Sequence, residues 1–214
     1  MNFNHYKDIK NALEDKDLLI VSKQRSDEEI MAFYDLGERL FGENRSAELK
    51  AKALSLPKDI KWHYIGHLQR NKVKEVIPYI TCLESLDSLE LAKEIEKECE
   101  KINKNIDALI QIHLATEDIK KTGINKEDIF SFLDNCNYKH INIKGIMVMG
   151  PHTNNIDRIK MVFNEANEIF KSLQDKYGKD NITTLSMGMS EDYLLALELG
   201  STEIRIGSFL FMED

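Results

Sequence analysis

Short apolar runs recur along the chain, and each stops at glycine or a polar group. Leu18-Leu19-Ile20-Val21 ends at Ser22-Lys23, Leu40-Phe41 ends at Gly42-Glu43-Asn44, and Lys61-Trp62-His63-Tyr64-Ile65 alternates before Gly66. Ile80–Leu83, Ala108–Ile112, Ile143–Val148, Thr183–Leu185 and Glu203–Ile206 continue the series. Runs of this length bounded by turn formers predict strands. Helical patterns fill the gaps between them. Ser26 with Glu29 and Asp87 with Glu90 have capping-box spacing, the second opening a helix with Leu89, Ala92, Ile95, Cys99 and Ile102 on one side. Helices are also expected over Tyr6–Glu14, Arg45–Leu54, Asn71–Ile77 and from Asn125 to Leu133. The clearest stripe is Ile156, Ile159, Phe163, Ala166, Phe170, Leu173 and Tyr177, spaced by threes and fours. Ser190 is expected to cap a last helix, with Glu191 and Asp192 in its first turn and Gly200 at its end.

Eight strands alternating with helices require a parallel sheet with helical crossovers. Eight units allow closure into a (β/α)8 TIM barrel, here read as one domain over residues 1–214. A doubly wound open sheet is the alternative. It usually places a glycine-rich phosphate turn after its first strand, where this chain has Val21-Ser22-Lys23-Gln24.

The polar residues then fall at the C-terminal ends of the strands, where barrels carry their chemistry. The segments after strands seven and eight, Ser186-Met187-Gly188-Met189-Ser190 and Arg205-Ile206-Gly207-Ser208, both place glycine beside serine. Those are the two loops at which barrels frequently bind phosphate. Ordinary loop glycines and a helix cap are the plainer reading of the same residues. Lys23 brings an amine to the same end. Desolvated at a barrel mouth, such an amine becomes a nucleophile toward aldehydes, whereas a solvated lysine carries no such role. A phosphate site opposite a nucleophilic lysine suggests pyridoxal 5′-phosphate (PLP). Arg205 stands two residues before Gly207 and shares its inward face. A cation there keeps a pyridine nitrogen unprotonated and weakens the electron sink.

Composition narrows the partners. The 214 residues are 42% apolar and 31% charged, with 29 Lys and Arg against 37 Asp and Glu, a net charge of −8. Such a surface repels duplex nucleic acid and anionic membranes, so neither is expected as a partner. The first residues lack the apolar core of a signal peptide, and no run is long enough to span a bilayer. Three scattered cysteines, Cys82, Cys99 and Cys136, fit a reducing, cytoplasmic setting. His63 and His67 straddle a strand end with no third ligand at sensible spacing, so no metal is expected. Met147, Met149, Met187 and Met189 read as adaptable packing around the mouth.

Val21-Ser22-Lys23, Phe41-Gly42-Glu43-Asn44, His63 through Lys72, Lys121-Thr122-Gly123, Ser186 through Ser190 and Arg205 through Ser208 resemble the motifs of the PLP homeostasis protein family. Its members are similar to the N-terminal barrel domain of alanine racemase. The motifs run in family order from about residue 17 to 211. The resemblance implies a single-domain, fold-type III PLP barrel with Lys23 forming the internal aldimine. It implies that Ser190, Gly207 and Ser208 bind the phosphate with backbone near Met189, that Arg205 faces the pyridine nitrogen, and that Asn44 lies beside the cofactor. Lys72 and Lys121 match family lysines near the site. Ser208 stands where threonine is common and keeps the hydroxyl, while the segments before strand one and after strand eight are short.

The implied role is vitamin B6 homeostasis without strong turnover. PLP is then the ligand, PLP-dependent apoenzymes are candidate recipients, and the chain acts as a monomer. One-lysine racemisation needs a second base, which alanine racemase takes from an additional domain, and the nearby Tyr64 and Tyr193 read as packing residues. The alternatives are a PLP-dependent racemase or isomerase using the same site, and a phosphosugar barrel enzyme with Lys23 condensing on substrate.

Overall fold

The computed structural model describes residues 1–115 and 122–212. Strand β1 (Asp17–Val21) follows α1 (Phe3–Leu13). Then come α2 (Asp27–Asp35), β2 (Leu40–Glu43), α3 (Ser46–Ser55), β3 (Lys61–Tyr64), a 3-10 turn running into α4 (Val73–Val76), β4 (Cys82–Leu86), α5 (Leu89–Ile102) and β5 (Ile106–His113). The second half runs through a two-residue β6 (Ile124–Asn125), α6 (Ile129–Asn135), β7 (Ile141–Val148), α7 (Ile156–Tyr177), β8 (Thr184–Ser186), α8 (Tyr193–Glu198), β9 (Glu203–Ile206) and α9 (Ser208–Phe211).

Each pairing is parallel. β4, β3, β2, β1, β9, β8, β7 and β5 lie side by side, and β4 pairs with β5 to close the ring. Closure removes the two sheet edges that an open sheet would leave unpaired. The ninth strand, β6, is an addition to the eight expected. It pairs only with the last two residues of β5.

The sequence periods survive with local changes. α2 carries the predicted capping box between Ser26 and Glu29. At α5 the cap is Ser88, whose hydroxyl accepts from the Leu91 N–H, in place of Asp87. The Asp87 carboxylate instead lies 3.3 Å from His67 Nδ1. Asn125 turns its amide to Asp128 and precedes a 3-10 turn, so α6 starts later than expected. Ser190 does not cap α8, because Asp192 takes the cap position. The α7 stripe buries Phe163, Ala166, Phe170 and Leu173, while Ile156, at the helix start, is exposed.

Two kinds of core result. The larger lies between strands and helices. A small separate cluster of Cys82, Leu109 and Met147 faces the other way, into the barrel. A bulge at Lys144 shifts the β5–β7 register, so that Ala108 faces Ile143 and Leu109 faces Gly145. Gly145 has φ +153°, and a Cβ there would lie 1.8 Å from the Thr184 carbonyl oxygen. The atoms it would meet are Thr184 backbone, which cannot swing aside as a side chain would. Gly145→Ala is therefore expected to destabilise the fold by about 3 kcal/mol, read as a lower denaturant midpoint at unchanged slope.

Candidate functional site at the mouth of the barrel

Register places the candidate residues at one end of three adjacent strands. Val21 pairs with Gly42, and Ile20 pairs with Ile206. Lys23, Asn44 and Gly207-Ser208 thus leave β1, β2 and β9 at nearly the same level. Lys23 is exposed and makes no hydrogen bond or ion pair among the described residues. This corrects the expectation of a partly desolvated amine. Asn44 is half-buried, and its carbonyl accepts from the Tyr64 hydroxyl at 3.2 Å. Its backbone also presses on Gly66, where a Cβ would come within 2.4 Å of the Asn44 oxygen.

The loops after β8 and β9 meet beside it. Ser208 Oγ donates to Ser190 Oγ at 3.0 Å, with Ser190 buried. Met189 exposes its side chain, and its N–H donates to Asp192 Oδ1 at 2.6 Å. Two hydroxyls and the turn after Gly207 therefore form a small polar cradle next to the tip of β1.

Arg205 lies just below, inside the barrel and only 4% exposed. Its Nη2 donates to the Val148 carbonyl at 3.0 Å and contacts Met149 Sδ at 3.3 Å, while Nη1 donates to Ser186 Oγ at 2.7 Å. A guanidinium only donates. The Ser186 oxygen must therefore accept, which leaves its one hydrogen for Glu84 Oε2 at 2.8 Å. The other oxygen of Glu84 pairs with His63 Nδ1 at 2.7 Å.

Comparison with known proteins gives this arrangement a family. The family model described as "Alanine racemase, N-terminal domain" matches residues 3–214. The pyridoxal phosphate homeostasis protein of Helicobacter pylori (strain ATCC 700392 / 26695) is 39% identical over 201 residues, which is 92% of this chain and 87% of the relative. That of Aquifex aeolicus (strain VF5) is 35% identical, over 92% and 86%. The chain belongs to the pyridoxal phosphate homeostasis protein family. PipY of Synechococcus elongatus PCC7942, solved without PLP, superposes with a TM-score of 0.91 at 30% identity, covering 98% of this chain and 99% of PipY. PipY with PLP bound gives 0.87 at 28% identity, with the same coverage. An alanine racemase of Clostridium difficile 630 shares the fold, with a TM-score of 0.82 at 15% identity, over 98% of this chain and 58% of the racemase.

Two further residues carried the family resemblance in the sequence. Lys72 Nζ is tied to Glu75 at 2.9 Å. Lys121 falls outside the described residues. The interior set of His63, Glu84, Ser186 and Glu203 was not anticipated. The available signal was a polar residue on the inward phase of each of four strands. Ligand-type atoms of His63, Glu84 and Glu203 lie within 4.8 Å of one another. Two of those atoms, His63 Nδ1 and Glu84 Oε1, are joined by a 2.7 Å hydrogen bond.

In this family member the cluster shares protons. Burial raises the Glu203 carboxyl, and the Glu84 charge adds to that, to about 8. Glu203 Oε1 is buried without a partner among the described residues. Burial would lower His63, but the Glu84 hydrogen bond and the charges of Glu203, Glu84 and Asp107 reverse the direction and raise it. Burial would raise Glu84, yet His63, Arg205 and Ser186 hold it below its usual range. Between about 4.5 and about 8 only folded protein keeps the Glu203 proton, so rising pH favours the unfolded state. A raised His63 works in the same direction, losing its stabilisation as pH climbs through its folded value. Folding stability should therefore decline toward pH 8, by at most about 1.4 kcal/mol per pH unit for one proton. In Glu203→Gln the decline should flatten, as measured by urea midpoints at several pH values.

Proposed function

We propose that this chain binds PLP, holds it covalently through Lys23, and handles the cofactor without strong turnover of an amino acid. The observation that carries the reading is the meeting, at one barrel mouth, of an amine unpaired among the described residues, a pair of hydroxyls and a buried guanidinium. The residues fit the group. Ser190 and Ser208 have hydroxyls 3.0 Å apart that turn readily to an anion, with Gly207 leading into them. Among the described residues Lys23 has no acid to release before reacting. PipY with PLP bound and relatives named for PLP homeostasis support the assignment.

Bound PLP supplies an aldehyde that condenses with amines and a ring that draws electrons from them. The chain's residues limit the second property. The Arg205 guanidinium only donates, and its contacts leave one Nη1 hydrogen and the Nε hydrogen to offer. A donor that cannot give up its proton keeps a facing ring nitrogen unprotonated. Asn44 lines the β2 side, and Met189 borders the cradle. Of the candidate second bases, the Tyr64 hydroxyl is engaged by the Asn44 carbonyl. In this reading the recipients are PLP-dependent apoenzymes, and the chain works as a monomer. No described helix is long and apolar enough to cross a membrane.

A racemase or isomerase reading rests on the family model and the shared fold. Borohydride reduction of PLP-treated protein followed by peptide mass spectrometry is expected to find a pyridoxyl group on Lys23, and Lys23→Ala should lose both the adduct and the visible colour. A phosphosugar-derived adduct, or no adduct, would overturn the proposal. Ser190→Ala with Ser208→Ala should weaken PLP binding by about tenfold or more while leaving pyridoxal little affected. Incubation with alanine in deuterium oxide should show no sustained α-hydrogen exchange. Robust exchange would establish the racemase reading instead.

A further inference from the structure

Both peptide groups that flank Lys23 are clamped to the same helix. The carbonyl of Ser22, in the peptide before Lys23, accepts from Lys52 Nζ at 2.7 Å. The N–H of Gln24, in the peptide after Lys23, donates to Glu48 Oε2 at 2.8 Å. Lys52 and Glu48 are one turn apart on α3. The cation meets a carbonyl and the anion meets an N–H, so each charge matches the dipole it holds.

The clamp is built into the barrel wall. Lys52 is buried, and its Nζ also donates to Glu43 Oε1 at 2.7 Å. Glu43 is fully buried and accepts from Ser22 Oγ at 2.7 Å as well. Glu48 is partly exposed, 3.7 Å from Lys52, with Arg45 at 3.4 Å from its other oxygen. Gln24 has φ +61°, an uncommon state for a residue with a side chain. A turn of that shape persists where its surroundings hold it. Burying Lys52 and Glu43 to hold a surface turn is costly unless the turn's shape matters.

We propose that Lys52 and Glu48 are positioning residues for Lys23, fixing the backbone on both sides of it so that its amine leaves β1 toward the Ser190–Ser208 cradle. Glu43 is the buried counter-charge that keeps Lys52 in place. The inference rests on the reading that Lys23 holds PLP, but its geometry does not depend on that reading.

The test uses the full chain with three variants. Glu48→Ala removes one clamp at a partly exposed position. Glu43→Leu combined with Lys52→Met removes the other without stranding a buried charge. Glu48→Gln keeps an acceptor and serves as the conservative rescue. Two measurements are made on each. The first is PLP affinity with the pH profile of the visible absorbance. The second is the rate of reductive methylation of Lys23 by formaldehyde and cyanoborohydride, quantified by peptide mass spectrometry against Lys61 as internal reference. The expected result is a loss of PLP affinity of about tenfold or more in Glu48→Ala and in the double variant. A shifted pH profile and an altered Lys23-to-Lys61 labelling ratio should accompany it, and Glu48→Gln should stay near wild type. Variants that melt earlier but keep the wild-type affinity, pH profile and labelling ratio would overturn the proposal and make the clamp purely structural. Should wild-type protein fail to bind PLP, the proposed function falls, and the labelling ratio alone then decides whether α3 positions Lys23.

Discussion

The Arg205 guanidinium, a group that only donates hydrogen bonds, is buried inside a closed barrel. Everything around it has to answer that charge. The Val148 carbonyl and Met149 sulfur take two of its hydrogens, and Ser186 takes a third. Because Ser186 must accept, its own hydrogen is committed to Glu84, and Glu84 is held ionised with His63 on its far side. Burial, with the Glu84 charge added to it, holds the Glu203 carboxyl up at about 8. The buried cation and the buried acids thus share one lumen, and Ser186 links them. Removing a partner would strand a buried charge at a cost of about 3–5 kcal/mol. The chain extends from β9 through β8 and β4 to β3, so it also fixes the guanidinium that faces the mouth.

Closure of the sheet makes this interior possible. Hydrogen-bonded strands on every side leave no edge for water, and the small cluster of Cys82, Leu109 and Met147 occupies the apolar share of the lumen. Large side chains go outward instead, where Phe41, Trp62 and Phe163 pack under the helices. The division has a functional consequence. Stability resides mostly in the outer core, and the lumen can be given over to polar groups aimed at one end. Methionines bridge the two demands. Met147 and Met187 are buried, while Met149 reaches from the wall to the Arg205 guanidinium.

Much of this was legible in the residues. Short apolar runs punctuated by Gly42, Gly66 and Gly207 marked strand ends, and the period of α7 was plain. Lys23, Ser190, Arg205 and Ser208 could be placed at one mouth because parallel alternation sends all strand ends the same way. The failures were of two kinds. Caps went astray at Asp87, whose carboxylate lies beside His67, and at Ser190, whose hydroxyl meets Ser208. Such partners are separated by tens of residues and leave no local period. The interior cluster failed for a related reason. His63, Glu84 and Glu203 each looked like an isolated polar residue in a strand, and the closed sheet brings Glu203 to 3.8 Å from the hydrogen-bonded His63–Glu84 pair.

The state of Lys23 has the same origin. An acid-rich chain leaves this lysine without an ion pair among the described residues, although acidic residues surround its turn. Those acids are already spoken for. Glu48 holds the Gln24 N–H, and Glu43 is saturated on one oxygen by Ser22 and Lys52. Lys52 answers the negative charge that Lys23 would otherwise attract. Burial pushes the Glu43 carboxyl up while Lys52 and Ser22 pull it down, so the carboxylate depends on Lys52 and not on Lys23 for compensation. Two lysines flank the first strand tip, and their environments divide the work. The buried one pairs with the local acid and holds the Ser22 carbonyl, while the exposed one stays unengaged among the described residues.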